Sequence, residues 1–213
     1  MLFRRRKTLP HLETNSGTYF VTFRLADSVP KSQIEDWKSE REEIRKNAER
    51  QGRRLTEYEE QRLKYVFSEK IEQYLDQGRG ECWLKDPVIA QVVIDALKYF
   101  DAIRYVLYAW CVMPNHIHVV FKTISKNGDL RSDLIPILHS WKSFTSKRIN
   151  TILRRQGNFW QHEYYDHLIR SDEEFGHCIN YTLQNPVKAG LCTHWQQWPW
   201  TGCSDMIKSM MIE

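Results

Sequence analysis

Hydrophobic and polar positions alternate or cluster over three stretches of the chain, which predicts three strands. Residues 17–25 (GTYFVTFRL) have one apolar side and one mixed side, a pattern typical of a central strand. Residues 104–113 are β-branched and aromatic without a helical period. Pro114 interrupts that run, and residues 116–121 follow at once as a third strand.

A densely charged stretch, residues 31–80, separates the first strand from the others. Between positions 31 and 79 it contains twelve acidic and twelve basic residues, a balance that indicates a solvated helical surface. The first of two predicted helices has only a thin apolar stripe, and a short turn joins it to a second helix with a fuller apolar side, which begins at a capping box of Thr56 and Glu59. The sequence therefore predicts a helical hairpin insertion over residues 31–80 within a single domain of residues 1–213.

Three further helices are predicted after the insertion. Asp86 and Pro87 give an N-cap and first-turn signal for a helix that ends near residue 99. Residues 134–155 form an amphipathic basic helix, and a last helix begins near Ser171 and is expected to end at Pro186. This order of elements predicts an α+β fold whose sheet is at least partly antiparallel, with helices on one face.

Composition narrows the class of protein. The chain has 213 residues, 41% of them hydrophobic, and a formal net charge of +4, as an ordinary globular protein does. No apolar run is long enough to span a membrane, and the basic N-terminus lacks the apolar segment of a secretory signal, so we expect a cytoplasmic protein. Five cysteines without a CxxC pair indicate neither a disulfide framework nor a zinc ribbon. Residues 140–170 hold six basic and two acidic residues, an excess that permits a polyanionic partner.

Residues 114–118 (PNHIH) carry the most informative candidate chemistry. In a strand, residues two apart share a face and lie about 7 Å apart. His116 and His118 can therefore bind one cation while Ile117 points into the core. Two imidazoles leave the shell of a divalent ion incomplete, so a third protein ligand is expected from elsewhere. The alternative is a pair of histidines on a solvated strand face.

Tyr181 and Asn185 supply a candidate nucleophile and a candidate oxygen ligand. They are four residues apart, so both project from the same side of a helix. The alternatives are a tyrosine that merely packs in the core and an asparagine that ends the helix before Pro186.

Five segments of the chain resemble one known family. MPNHIHVVF resembles the histidine, hydrophobic, histidine strand of the HUH single-strand nucleases. GTYFVTFRLA, FWQHEYYDHLIRSDEEF, YTLQNPVKAGL and WPWTG resemble segments of the REP-associated tyrosine transposases, which belong to the single-tyrosine, IS200-like HUH transposases. The segments occur in the order of the family and cover nearly all of the chain outside the insertion.

The resemblance implies a ferredoxin-like core with a central antiparallel sheet flanked by helices, and a bound Mg²⁺ or Mn²⁺ ion. His116 and His118 match the metal ligands of the family, Asn185 matches its third ligand position, and Tyr181 matches its catalytic nucleophile. The implied enzyme is a DNA transposase and endonuclease that cleaves and rejoins single-stranded hairpin DNA through a 5′-phosphotyrosine. Its implied partner is DNA of repeated palindromic elements.

Aromatic and basic side chains interleave late in the chain, which suits stacking on the bases of a single strand at about 1 to 3 kcal/mol per base. The predicted DNA-binding residues are Lys142, Lys147, Arg148, Arg154, Arg155, Trp160, Tyr164 and Tyr165. Tyr164 and Tyr165 are also rival nucleophiles, and Tyr181 is preferred for its pairing with Asn185. We expect a monomer or homodimer associated with the nucleoid. A catalytically silent or domesticated binder of structured single-stranded DNA and an RNA-processing protein are the alternative functions.

Overall fold

The structure is a computed structural model that describes residues 2–5, 10–13, 16–67, 69–124 and 133–211. The chain divides into two compact units, one of residues 1–26 and 83–213 and one of residues 27–82. Within the described residues, no helix combines the length and the apolar character that a membrane-spanning segment needs.

The unit of residues 27–82 is helical. Its described helices are α1 (Lys31–Arg50), α2 (Glu57–Phe67) and α3 (Glu69–Asp76). Val29, Trp37 and Leu75 form its small core. The expected capping box is present, because Oγ1 of Thr56 accepts a hydrogen bond from the Glu59 amide at 3.2 Å and the Glu59 carboxylate accepts one from the Thr56 amide at 2.9 Å. That residues 31–80 are an insertion in a single domain stays a prediction.

The larger unit combines a hairpin with an antiparallel sheet. The hairpin pairs β1 (Leu2–Arg5) with β2 (Pro10–Glu13). The strands that the structure describes in the sheet are β3 (Thr18–Arg24), β4 (Tyr105–Val112), β5 (His116–Thr123), β6 (Tyr165–Ile169) and β7 (Thr201–Cys203). They lie in the order β6-β3-β5-β4-β7, and each neighbouring pair is antiparallel.

This unit has a ferredoxin-like order of elements. Its described helices are α4 (Pro87–Tyr99), α5 (Leu134–Ile152), α6 (Asp172–Lys188) and α7 (Asp205–Met210). Apart from residues 27–82, the succession β3-α4-β4-β5-α5-β6 follows the split βαβ pattern, with β3 and β5 at the centre of the sheet. The predicted α+β fold with a central antiparallel sheet is therefore confirmed.

Helices cover both faces of the sheet rather than one. On the first face, Val21 and Val119 belong to the core that α4 and α5 share with the sheet. On the second face, Phe20 packs with Ile179 and Leu183 of α6. The expectation of helices on a single face is wrong because the mixed side of β3 also carries a large apolar side chain, and Phe20 is buried there.

Helix α6 continues past Pro186, contrary to the prediction that this proline ends it. Proline has no amide hydrogen to give to the preceding turn, which costs the helix one bond. The turn nevertheless closes, because the Ala189 amide donates to the Asn185 carbonyl and the Leu191 amide to the Pro186 carbonyl, each at 2.9 Å. Pro186 itself is buried. The added turn carries Lys188 at the end of the helix.

Several other boundaries differ from the prediction for local reasons. Helix α5 ends at Ile152, before the predicted end at residue 155. Arg154 has a positive φ of 50°, which is incompatible with a right-handed helix. The sequence pattern also does not predict β6 and β7, which have five and three residues. Segments this short are below the length over which periodicity identifies a strand.

Replacing Gly202 by alanine is expected to lower the free energy of unfolding by about 1 to 3 kcal/mol, the usual cost of overpacking. Gly202 lies opposite Trp110 in the β7–β4 register, and a Cβ added to it would stand 2.5 Å from Cζ2 of the Trp110 ring. Gly176 in α6 is the matched control, because a Cβ there would have no neighbouring atom within 4 Å. Gly176→Ala should raise stability by up to about 1 kcal/mol. Urea denaturation measures both changes, and a Gly202→Ala protein as stable as the parent would contradict the close packing.

Candidate active site

Strand β5 turns both histidines of residues 116–118 toward the second face of the sheet. Nε2 of His116 lies 3.0 Å from Nε2 of His118. Ile117 between them packs into the core on the first face. Both histidines have 0% of their surface exposed, so the alternative of two solvated histidines is wrong.

Neighbouring polar groups orient each imidazole. Nδ1 of His116 donates to Oδ1 of Asn115 at 2.7 Å, which leaves Nε2 of His116 with a lone pair. Oγ1 of Thr22 lies 2.8 Å from Nδ1 of His118. The antiparallel register sets this contact, because Thr22 faces His118 across β3 and β5. A hydroxyl can donate or accept, so His118 can carry its proton on either nitrogen.

Burial keeps both imidazoles neutral. It lowers the pKa of His116 to about 3, and the Asn185 amide opposes this shift while the charge of Lys188 adds to it. Burial also lowers the pKa of His118 well below its ordinary value, and the charges of His116 and Lys188 act in the same direction. Neutral imidazole is the form that binds metal ions.

Helix α6 places Tyr181 against the histidine pair. The Tyr181 ring meets His118 edge-on with 5.4 Å between centroids, and it meets Phe20 edge-on at 5.7 Å. Phe20 stacks on His118 at 5.6 Å, so the three rings form one cluster between sheet and helix. Tyr181 is half-buried, whereas His116, His118 and Asn185 are buried. Tyr181 is therefore the most exposed residue of this set.

Asn185 follows Tyr181 by one helical turn and is only 1% exposed. Within the described residues, neither Oδ1 nor Nδ2 of Asn185 makes a hydrogen bond of normal geometry. The amide is nevertheless close enough to His116 to raise the pKa of that ring. An unpaired buried amide costs roughly 1 to 3 kcal/mol. Its position beside His116, whose Nε2 lies 3.0 Å from Nε2 of His118, is an arrangement that suits a set of ligands.

The candidate metal-binding atoms therefore include both nitrogen and oxygen. Within the described residues, no three His, Cys, Asp or Glu side chains converge as a metal cluster. The groups that can hold a divalent ion are Nε2 of His116, Nε2 of His118 and Oδ1 of Asn185. Imidazole and carbonyl oxygen are ligands that suit Mn²⁺, and oxygen suits Mg²⁺.

Four polar residues of the site are missing from the sequence prediction. Thr22 and Asn115 orient the imidazoles, and Nζ of Lys188 lies 5.3 Å from the centroid of the Tyr181 ring. Arg24 lies opposite His116 in the β3–β5 register, and burial lowers its pKa to about 10. The helical spacing from Tyr181 to Lys188 was available in the sequence, whereas Thr22 and Arg24 require the strand register.

The rival tyrosines lie on different faces of the sheet. Tyr164 is buried in the core of the first face. Tyr165 begins β6 opposite Thr22, on the second face, and its ring meets Phe20 edge-on at 6.2 Å. Tyr165 therefore shares the face of the histidine pair, and Tyr164 does not.

Two aromatic residues predicted to stack on bases lie in the core. Trp160 is 5% exposed, its Nε1 donates to Oγ1 of Thr145 at 2.8 Å, and its ring meets Phe23 edge-on at 4.8 Å. Tyr164 is 8% exposed. This burial corrects the expectation that both rings are open to bases. Tyr165 is half-buried and keeps part of its surface open.

The predicted basic DNA-binding residues lie on α5 or just after it. Lys147, Arg148 and Arg154 are exposed. Lys142 donates to two backbone carbonyl oxygens at 2.7 and 2.8 Å, and Arg155 donates to one at 3.3 Å. Helix α5 packs on the first face, so this basic surface and the histidine pair are on opposite sides of the sheet.

Comparisons with known proteins agree with these elements. Residues 83–181 match the family model described as transposase, IS200 like. A Haemophilus influenzae protein, provisionally assigned as a REP-associated tyrosine transposase, is 28% identical over 109 residues, 47% of this chain and 60% of that protein. The REP-associated tyrosine transposase of Escherichia coli K12 is 28% identical over 93 residues, 44% of this chain and 51% of that protein. The chain thus covers only about half of the length of these relatives.

A solved structure of similar fold is that of a REP-associated tyrosine transposase bound to a REP hairpin. It aligns with a TM-score of 0.53 over 94% of this chain and 82% of the other, at 19% sequence identity. At this identity the likeness concerns the fold. Residues 83–181 of this chain thus resemble the IS200-like transposases, and the chain is similar in sequence and in fold to REP-associated tyrosine transposases.

Proposed function

We propose that this protein is a metal-dependent DNA transposase and endonuclease, which cleaves and rejoins single-stranded hairpin DNA through a phosphotyrosine at Tyr181. The observation that carries the proposal is the contact of the Tyr181 ring with His118, whose Nε2 lies 3.0 Å from Nε2 of His116. The match of residues 83–181 to a transposase family model supports this reaction class. A phenol beside two neutral imidazoles gives the chemistry.

His116, His118 and Asn185 are the proposed ligands of Mg²⁺ or Mn²⁺. Nε2 of His116 and Nε2 of His118 lie 3.0 Å apart, so one divalent ion could be held by both rings. In the part of the chain that the structure describes, the Asn185 amide makes no hydrogen bond of normal geometry, and this supports the same assignment, since an ion would give its oxygen a partner. When bound, such an ion would polarise the scissile phosphodiester and stabilise the charge of the leaving oxygen.

Tyr181 is the proposed nucleophile. Its oxygen loses the phenolic proton and bonds to phosphorus, while the bond from phosphorus to the 3′ oxygen breaks and that oxygen gains a proton. The products are a 5′-phosphotyrosine and a free 3′-OH. Attack by another 3′-OH reverses the exchange and rejoins the strands without ATP, because the phosphotyrosine retains the free energy of the original bond. Thr22 and Asn115 hold the imidazoles in place through both steps.

The proposed partner is hairpin DNA with a single-stranded segment, from repeated palindromic elements at the nucleoid. The solved relative of similar fold is bound to a REP hairpin. The exposed side chains of Lys147, Arg148 and Arg154 give this chain a basic surface suited to phosphates, on the side of the sheet opposite to Tyr181, where a segment of the hairpin away from the cleaved strand would bind. Tyr165 is the candidate for stacking on a base. A monomer or a homodimer fits this function.

With Mn²⁺ and a labelled hairpin oligonucleotide, the parent protein is expected to form a covalent adduct that survives denaturing electrophoresis. Tyr181→Phe should reduce the adduct on the order of a thousandfold or more, because the ring packing stays while the nucleophilic oxygen is lost. Quantifying the labelled protein band measures the change.

Tyr165→Phe is the matched control, since it removes the other hydroxyl on the same sheet face, and it should keep the adduct. The assignment would be contradicted if Tyr181→Phe retained the adduct while Tyr165→Phe or Tyr164→Phe lost it. An RNA hairpin tested in parallel detects an RNA-processing enzyme. Hairpin binding by the parent without any adduct would indicate a silent binder.

Asn185→Leu is expected to keep or raise the stability of the metal-free protein, because a side chain of similar shape replaces an unpaired buried amide. The same change should weaken Mn²⁺ binding at least tenfold, which titration calorimetry measures. Thr145→Val is the contrasting variant, since its buried hydroxyl accepts from Trp160 and donates to the Trp141 carbonyl. It should cost about 1 to 3 kcal/mol. A similar loss of stability in Asn185→Leu would contradict a ligand role.

Thr22→Val is expected to weaken Mn²⁺ binding about 10- to 100-fold, the usual effect of losing a group that orients a metal-binding histidine. Valine keeps the shape of the side chain but removes the contact with Nδ1 of His118. Thr18→Val on the same face of β3 is the control and should leave the affinity unchanged. Equal affinities for all three proteins would show that Thr22 does not orient the ligand.

A further inference from the structure

Lys188 stands beside the candidate nucleophile at the end of α6. It follows Tyr181 by seven residues and Asn185 by three, so the three side chains share one side of the helix. Its Nζ lies 5.3 Å from the centroid of the Tyr181 ring, within the range of a cation–π contact. The residue as a whole is exposed.

Helix α6 also places Lys188 next to a candidate metal ligand, because Asn185 precedes it by three residues on the same side of the helix. The ammonium group is close to the phenol of the candidate nucleophile. A phosphodiester attacked by Tyr181 would therefore lie within reach of this flexible four-carbon side chain.

We propose that Lys188 binds a backbone phosphate of the DNA strand held at Tyr181, and so contacts the substrate at or next to the reacting linkage. Lysine binds phosphate as a compact point charge with three donors. It takes no part in the exchange of bonds. The inference rests on the proposed function, because it takes Tyr181 as the residue that meets the strand.

A structural role for Lys188 makes a different prediction. A cation in the last turn stabilises a helix through the macrodipole by about 0.3 to 1 kcal/mol. Such a role would change the melting temperature of a variant. It would also change DNA binding by the same factor, whichever linkage of the strand is made neutral. The test therefore has to ask whether Lys188 is coupled to one linkage.

Binding without cleavage provides that test. The probe is a fluorescent hairpin of a repeated extragenic palindrome with a single-stranded flank, together with versions in which one linkage of the flank at a time is a neutral methylphosphonate. All proteins carry Tyr181→Phe and are kept in EDTA, so neither strand exchange nor a metal contributes. Lys188→Ala should weaken binding of the fully charged probe about threefold to tenfold. It should also reduce the slope of log affinity against log salt by about 0.7.

Coupling to a single phosphate distinguishes a direct contact by Lys188 from a general effect of its positive charge. The effect of Lys188→Ala should disappear on the probe whose contacted linkage is neutral and persist on the other probes. Lys188→Arg should restore binding, and Lys188→Gln should not. Lys98 is the matched control, because it is exposed in the last turn of α4 with Nζ 4.8 Å from the Trp110 ring centroid. Lys98→Ala makes the same change of charge and should show no such coupling.

Equal losses on every probe, or the same coupling in Lys98→Ala, would overturn the inference while leaving the proposed function intact. A Tyr181→Phe protein that binds none of the probes would overturn both the proposed DNA partner and this inference. The covalent adduct of the parent protein reports on Tyr181 alone, so the two failures are distinguishable.

Discussion

The packing of α6 on the second face of β3 and β5 is the interaction on which the whole site depends. Phe20 from the sheet and Ile179 and Leu183 from the helix are buried together. Burying each such side chain contributes about 1.5 to 3 kcal/mol. These apolar contacts hold the helix down on the sheet, and they place Tyr181 and Asn185 over the histidine pair.

The same packing also buries polar side chains, which are unfavourable in a core whose only role is stability. His116 and His118 are fully buried, and one ring nitrogen of each contacts Asn115 or Thr22. The two Nε2 atoms lie 3.0 Å apart, which is a hydrogen-bond distance, and the Asn185 amide is close to His116. Apolar side chains at these positions would avoid the cost of desolvating polar groups. A concentration of this cost in one place is typical of functional sites rather than of the fold.

Local pattern was sufficient for part of this architecture. Alternation located β3 and β5, and the spacing of two in a strand predicted that His116 and His118 face the same side. The spacing of four in a helix predicted that Tyr181 and Asn185 do so. The structure brings these four residues together, and the α+β fold is confirmed, but their chemical roles stay predictions.

What the pattern could not supply depends on contacts between distant segments. The contact of Thr22 with His118 requires the register of β3 on β5, which no local signal fixes. Trp160 lies among basic residues in the sequence, yet its indole bonds to Thr145 inside the core. Pro186 carries a strong local signal to end a helix, and the hydrogen bonds and burial around it outweigh that signal.

The lengths of the outermost strands limit how copies of this protein can associate. Strand β6 has five residues and β7 has three, and they form the two borders of the sheet that the structure describes. Very short border strands expose few unpaired amide and carbonyl groups, which is a common protection against fibre-like growth by strand addition. A dimer built by extending this sheet across a shared border would therefore have few backbone hydrogen bonds to hold it.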